Sequence, residues 1–321
     1  MSEQPIENSS QTKELATECW FLTGPTASGK TEVGVELAHL LNAEIISLDS
    51  MAVYREMNIG TAKPNAEERA SVPHHLIDIL DPNEQFSVSD YLTLAEKTVR
   101  EIRNRGREVM FVGGTPLYLK AILRGIFSGP PADWEFRQRI ENEVQEVGLD
   151  ALHQRLMQVD PVSATKLHPN DKRRMIRALE FYTITGQPIS HAQTQFEEGR
   201  PAEDCKVFAL QWPRALLHER IERRVDQMFE QGFVDEVHGL LERYGELSRT
   251  ASQAVGYREV IEHIQEDHDI DATRERVKTR TRQFARRQET WFRGLSEVRS
   301  VDYDLALSAA EVANKIFGEQ S

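Results

Sequence analysis

The stretch GPTASGKT, Gly24 to Thr31, constrains this chain more than any other. It fits the phosphate-loop pattern G-x-x-x-x-G-K-[ST] at every defined position. Such a loop works between a buried strand and a helix, and both flanks are present. CWFLTG, Cys19 to Gly24, is a short apolar run ending in glycine, as expected of a buried parallel strand that feeds a loop. TEVGVELAHLLN follows, and helical spacing predicts Val33, Leu37, Leu40 and Leu41 on one face. Gly24, Pro25, Thr26, Ala27, Ser28, Gly29, Lys30 and Thr31 are therefore the candidate phosphate cradle. Successive backbone N–H groups would form an anion nest, and the helix dipole adds positive potential at the same point. Lys30 brings a full charge to the distal phosphates, and the Thr31 hydroxyl suits Mg²⁺.

Three further strands are predicted. AEIISLDS ends at Asp49, EVMFVGGT ends at Gly113-Gly114, and KVFALQW spans Lys206–Trp212. Helical segments separate them, so the fold class is α/β: a phosphate-loop, mostly parallel sheet flanked by helices. Ligands of such sheets bind beyond the carboxyl ends of the strands, where Thr23, Asp49 and Gly113 fall. Between SGPPADW, Ser128 to Trp134, and GRPAED, Gly199 to Asp204, only helical patterns occur. This predicts an all-helical insertion over 128–199 between proline-rich hinges. The catalytic core would then be 18–127 with 200–321, after a floppy polar leader over 1–17.

No apolar run approaches the roughly 18 residues of a membrane span, and the polar N-terminus has no signal-peptide core. Cys19 and Cys205 stand far apart in apolar, strand-like contexts and read as buried thiols in a reducing cytoplasm. The formal net charge of -13 argues against a nucleic-acid partner. Its distribution argues the other way, because RERVKTRTRQFARRQETWFR, Arg274 to Arg293, is densely basic. On that helix Val277, Phe284 and Trp291 recur every seven residues and should pack, leaving Arg280, Arg282, Arg286, Arg287 and Arg293 on the other faces. HPNDKRRMIRALE similarly puts Arg173 and Arg177 on one face, with Ile176, Leu179 and Tyr182 inward. A solvated surface is the plain alternative for both helices. Two arginine-rich helices in so acidic a chain favour contacts with phosphate backbones.

Asp49, at a strand end, allows three readings: a holder of the Mg²⁺ water shell, a hydrogen-bond acceptor for a nucleophile, or a turn cap with Ser50. YREMNIGTAKP, Tyr54 to Pro64, reads as a shaped loop or a plain surface loop. In GGTPLY, the glycines allow close backbone approach to a ligand. Thr115 suits a helix N-cap before Pro116, and this does not exclude ligand contact by its hydroxyl. The histidines form no ligand spacing with a carboxylate, and there is no zinc pattern.

Together, GPTASGKT, DSMAVYREMNIGTAKP, PHHLID, FSVSDY, GGTPLYLKA, HPNDKRRMIRALE, QAVGYRE and TRQFARRQETWFR resemble the tRNA dimethylallyltransferases of bacterial type. The match runs in order from about residue 18 to 295. The resemblance implies transfer of the dimethylallyl group of dimethylallyl diphosphate to the exocyclic amine of the adenosine just 3′ of the anticodon. The loop would then hold a diphosphate leaving group, with Mg²⁺ near Thr31. Arg224, or its neighbour Arg223, would add charge. Asp49 would be hydrogen-bond acceptor and general base, and Thr115 would stand at the reacting centre. The implied tRNA contacts, around the anticodon stem-loop, are Asp49, Ser50, Met51, Ala52, Thr115, Arg137, Arg173, Arg174, Arg177, Gln253, Gly256, Tyr257, Arg258, Arg282 and Arg286. The insertion would be a tRNA-binding domain, and the protein a cytoplasmic monomer. Ala52 and Asn58 depart from the family's usual Gln and Asp. Three rivals remain: a prenyltransferase acting on free AMP, a phosphate-loop kinase of a small metabolite, and a non-catalytic RNA-binding protein.

Overall fold

Six strands form one wholly parallel sheet: β1 (Trp20–Thr23), β2 (Ala43–Ser47), β3 (His74–His75), β4 (Glu108–Val112), β5 (Lys206–Gln211) and β6 (Val298–Asp302). Their spatial order is β3-β2-β4-β1-β5-β6. The computed structural model describes residues 15, 17–125, 129–192, 199–303 and 306–319. The four strands expected from apolar runs are all present. Two edge strands join them: β3 is only two residues long, and β6 carries polar residues at three of its five positions.

Fourteen labelled helices complete the described chain. Those of the first half are α1 (Lys30–Leu41), α2 (Ala66–Ser71), α3 (Val88–Asn104), α4 (Pro116–Arg124), α5 (Trp134–Val159), α6 (Pro161–Lys166) and α7 (Lys172–Thr185). After them come α8 (Ile189–Ala192), α9 (Arg214–Glu230), α10 (Phe233–Tyr244), α11 (Arg249–Ser252), α12 (Tyr257–Glu266), α13 (Ile270–Arg293) and α14 (Ala309–Gly318). The chain divides into two compact units, Met1–Leu123 with Gly199–Ser321, and Arg124–Glu198. Leu15 is helical and buried, so the floppy leader expected over 1–17 does not extend through it; residues 1–14 and 16 lie outside the described residues.

In the first unit β1 is buried on both faces, as befits a central parallel strand. Trp20, Leu22, Ile45, Met110, Phe208 and Leu210 form one face of the sheet, packed with Val33 and Leu37 of α1 and Val312 and Ile316 of α14. The α1 stripe differs from expectation. Val33, Gly34, Leu37 and Ala38 are buried, whereas Leu40 is 42% exposed and Leu41 half-buried. Gly34 explains the shift, because a Cβ there would press within 3.1 Å of the Val112 methyls, and close packing selects that face. α3 begins at a Ser87–Asp90 capping box and buries Tyr91, Leu92, Ala95, Thr98, Val99 and Ile102 at helical spacing.

In the second unit α5, broken at Gly148, packs Phe136, Ile140, Leu152 and Leu156 against Met175, Ile176, Leu179 and Phe181 of α7. Tyr182 is only half-buried, and Phe181 takes the inward place assigned to it.

Candidate active site

The sheet order brings three carboxyl ends together. β4 lies between β1 and β2, so the loop after β1, Asp49 after β2 and Gly113–Thr115 after β4 are neighbours. Hydrogen bonds stitch these ends. Thr23 Oγ1 donates to Gly113 O at 2.8 Å, Gly113 N donates to Leu22 O at 3.1 Å, and Thr115 N donates to Leu48 O at 3.1 Å. Gly113 is required here, because a Cβ would collide with the Leu48 carbonyl.

The phosphate loop is shaped from outside. Its carbonyls are tied down: Ala27 O accepts from Arg220 Nε at 2.8 Å, Ser28 O from Trp212 Nε1 at 3.0 Å, and Pro25 O from Lys30 Nζ at 2.7 Å. Arg220 also lies over the Trp212 ring, 4.4 Å from its centroid. Ala27 and Gly29 adopt left-handed φ values of 62° and 82°, a turn pattern that directs successive amides to one side. Among the described residues, the N–H groups of Ala27, Gly29, Lys30 and Thr31 have no hydrogen-bond partner, nor has the Thr31 hydroxyl. This is a nest of donors at a helix N-terminus, suited to an anion.

Two cations stand with it. Burial first, then the positive charge of Arg224, pull the Lys30 ammonium down to about 7, against the opposing pull of Asp49. Burial likewise lowers Arg224, with Asp49 opposing and Arg220 adding to the effect. Among the described residues, the buried Arg224 Nε has no hydrogen-bond partner. An orphaned buried guanidinium N–H beside the half-buried Lys30 ammonium costs free energy unless an anion joins them.

Asp49 Oδ1 accepts from Met51 N at 2.8 Å, so the turn-forming role is real and occupies one carboxylate oxygen. Oδ2 has no partner among the described residues. Pro116 opens α4 as expected and Thr115 O accepts from Leu119 N. The Thr115 hydroxyl does not cap that helix. It accepts from Ser50 N at 3.0 Å and lies 3.3 Å from Ser50 Oγ, joining the ends of β4 and β2. Beneath them Tyr91 and Tyr118 stack at 3.9 Å, with Tyr91 O–H donating to Ser47 O. Burial pushes both phenols up, and the Asp49 charge adds to it.

The residues expected to touch RNA divide. Arg173, Arg174, Gln253, Arg258 and Arg286 are exposed, Arg174 near Asp171 and Arg258 paired with Glu262. Arg282 donates to Glu222 at 2.6 Å. Arg137 and Arg177 both bind the fully buried Glu180. Ser50 and Met51 are partly exposed. Three others lie beneath the surface. Ala52 is buried. Tyr257 is wholly buried, its O–H donating to Glu236 at 2.6 Å. Gly256, at φ 94°, sits against Phe233 and turns the chain. These three shape the surface from below: the Ala52 and Tyr257 side chains are buried, and Gly256 packs against Phe233. The seven-residue repeat on α13 also fails: Phe284 is half-buried and Trp291 exposed, while Thr273, Val277, Ala285, Gln288 and Phe292 are the buried stripe. Seven residues fall about 20° short of two full turns, so a sevenfold repeat drifts off a straight helix face. Sequence reading missed Arg220, Trp212 and Gln288, whose partners lie far away along the chain.

A phosphate loop joined by two half-buried cations, beside a strand end bearing an unpartnered carboxylate oxygen, suits an enzyme that transfers or displaces a phosphorylated group. The family model described as IPP transferase matches residues 52–295. The chain is 52% identical over 288 residues to the tRNA dimethylallyltransferase of Rhodopirellula baltica, covering 87% of this chain and 86% of that one. A crystal structure of tRNA isopentenylpyrophosphate transferase from Bacillus halodurans superposes with a TM-score of 0.68 at 40% identity, over 95% of this chain and 97% of that one. A eukaryotic dimethylallyltransferase acting on tRNA gives a TM-score of 0.74 at 26% identity, over 92% and 77% of the two chains. The chain belongs to the IPP transferase family, a family of transferase enzymes.

Proposed function

We propose that this chain transfers the dimethylallyl group of dimethylallyl diphosphate to the exocyclic N6 amine of the adenosine immediately 3′ of the anticodon in tRNA, releasing diphosphate. The observation that carries the reading is the set of unpartnered donors, four loop amides with Arg224 Nε, at the same sheet edge as Asp49 and Thr115.

An allylic carbon loses diphosphate with cationic character, and the barrier falls when the growing negative charge is neutralised in place. The amides of Ala27, Gly29, Lys30 and Thr31, the Lys30 ammonium and Arg224 supply that neutralisation. Mg²⁺ fits the donor set, because Thr31 offers one hard hydroxyl oxygen to an ion that draws its other oxygens from phosphate and water. Bound there, it would add positive charge at the leaving group.

The adenine amine is a poor nucleophile, since its lone pair is delocalised into the ring. It becomes acidic as the C–N bond forms, and Asp49 Oδ2 accepts the proton. The Thr115 hydroxyl holds Ser50 and orients the acceptor side. The adenosine must leave the anticodon-loop stack, at a few kcal/mol. The exposed Arg173, Arg174, Gln253, Arg258 and Arg286 offer RNA contacts, and Arg137, Arg177 and Arg282 can add to them from their ion pairs. The insertion, core and RNA-facing helices would act as one cytoplasmic monomer. Among the described residues no helix is long and apolar enough to cross a membrane.

The test incubates the protein with Mg²⁺, radiolabelled dimethylallyl diphosphate and either unmodified tRNA or AMP. Label in tRNA is expected. Label in AMP alone, or ATP hydrolysis without label transfer, would replace this reading with the corresponding rival.

A further inference from the structure

Gln288 is a polar residue in the apolar stripe of α13, and it is 3% exposed between the exposed Arg287 and the half-buried Glu289. Its side-chain amide makes two hydrogen bonds to distant segments. Oε1 accepts from Thr26 N at 2.8 Å, and Nε2 donates to Gly114 O at 2.5 Å. Thr26 belongs to the phosphate loop, and Gly114 immediately precedes Thr115. The seat is close-fitting. A Cβ on Gly114 would lie 2.7 Å from Gln288 Nε2, 3.3 Å from Gly24 O and 3.6 Å from Lys30 Nζ.

The chemistry of the position is narrow. The site needs one donor and one acceptor on a side chain long enough to reach both loops, and no charge. A carboxylate would lack the donor, and an aliphatic chain would leave two buried backbone groups unsatisfied.

We propose that Gln288 is a positioning residue for group transfer: it sets the spacing between the loop that holds the leaving diphosphate and the strand end that carries Thr115. This inference rests on the prenyl-transfer reading above. Leaving group and acceptor are held by different chain segments, and transfer requires reacting atoms about 3–3.5 Å apart. The Gln288 amide ties the two segments directly to each other. With the tie removed, the allylic C–O bond still breaks and its electron pair leaves on diphosphate. The misplaced amine then competes poorly with water, which adds to the allylic carbon and gives up a proton to form dimethylallyl alcohol.

The experiment compares the full-length protein with Gln288→Met, Gly114→Ala and the double variant. Gly114→Ala displaces the amide from the loop side and leaves α13 untouched. Label from dimethylallyl diphosphate is followed into both tRNA and the alcohol, at temperatures below each variant's melting midpoint. Both single variants should lose about tenfold or more in kcat for tRNA transfer, with KM for tRNA within about twofold of the parent. The ratio of alcohol to modified tRNA should rise in each, and the double variant should be no worse than the worse single one. Should Gln288→Met not fold, Gly114→Ala carries the same test. Parental kcat and partition in the variants would overturn the positioning role while leaving the prenyl-transfer reading intact, as would fully additive losses in the double variant. A parent protein that puts no label into tRNA would overturn both.

Discussion

Among single residues, the candidate site draws its parts from the carboxyl ends of three neighbouring parallel strands. The eight residues of the phosphate loop, Asp49 and Thr115 each sit at a strand end marked by glycine or by the end of an apolar run. The residues that hold them in place were not legible, because nothing near Gln288 in sequence announces that its partners are 174 and 262 positions away. Arg220 reaches the loop from 193 positions away in the same manner. The division of labour on Asp49 gives a sharp expectation. Asp49→Asn keeps the Oδ1 acceptor for Met51 N and removes the basic oxygen. Transfer to tRNA should therefore fall on the order of 10²–10⁴-fold in kcat, with KM for both substrates close to the parent's. A variant with unchanged kcat would remove Asp49 from the proton-transfer role.

At the scale of elements, apolar runs marked the central strands, but the edges were silent. β3 is only two residues long, and a buried charge on the neighbouring strand reaches it. Glu44 on β2 accepts from Arg105 Nε at 3.0 Å and Nη2 at 2.7 Å, beyond the end of α3, and pairs with His75 on β3 at 2.7 Å. The Arg105 hydrogen bonds, with help from His75 and against the opposing effect of burial, pull its carboxyl from 4.5 down to about 2. The folded state thus prefers the ionised form. That stability is fully present above pH 4.5 and is lost as pH falls from 4.5 through about 2. The shift corresponds to at most about 3 kcal/mol, and to less because Arg105 is half exposed. Glu44→Gln should lower the melting temperature at pH 7 and flatten its fall between pH 4.5 and 2, as read by thermal melts across that range. In the helical unit the corresponding hub is Glu180. Burial works to raise its carboxyl, but hydrogen bonds from Arg137, Arg177 and the Asp133 amide outweigh this and hold it low. Glu180→Gln leaves two guanidinium groups short of a charge partner. It should destabilise Arg124–Glu198 by about 3 kcal/mol, seen as faster amide hydrogen exchange in α5 and α7 with β1 and β4 unchanged.

At the scale of the molecule, the formal charge of -13 and the proposed polyanionic partner stand in apparent conflict. Association with a nucleic acid depends on local cations, since each phosphate neutralised releases a counterion whatever the charge of remote surfaces. Both units expose arginines for this: Arg173 and Arg174 on α7, and Arg286 and Arg287 on α13. The acidic remainder then acts over distances that salt screens, within about 10 Å at 0.1 M. The affinity for an anticodon stem-loop should therefore fall linearly with the logarithm of salt concentration. Arg286→Ala and Arg173→Ala should each reduce that slope by roughly 0.7–0.9, one phosphate's worth. Dimethylallyl diphosphate binding in the same variants should be unchanged, because the donors proposed for it belong to the phosphate loop and to Arg224. Equal slopes in parent and variants would mean that the arginine helices are solvated faces, and that RNA is recognised by the loops around Ser50 and Met51 alone.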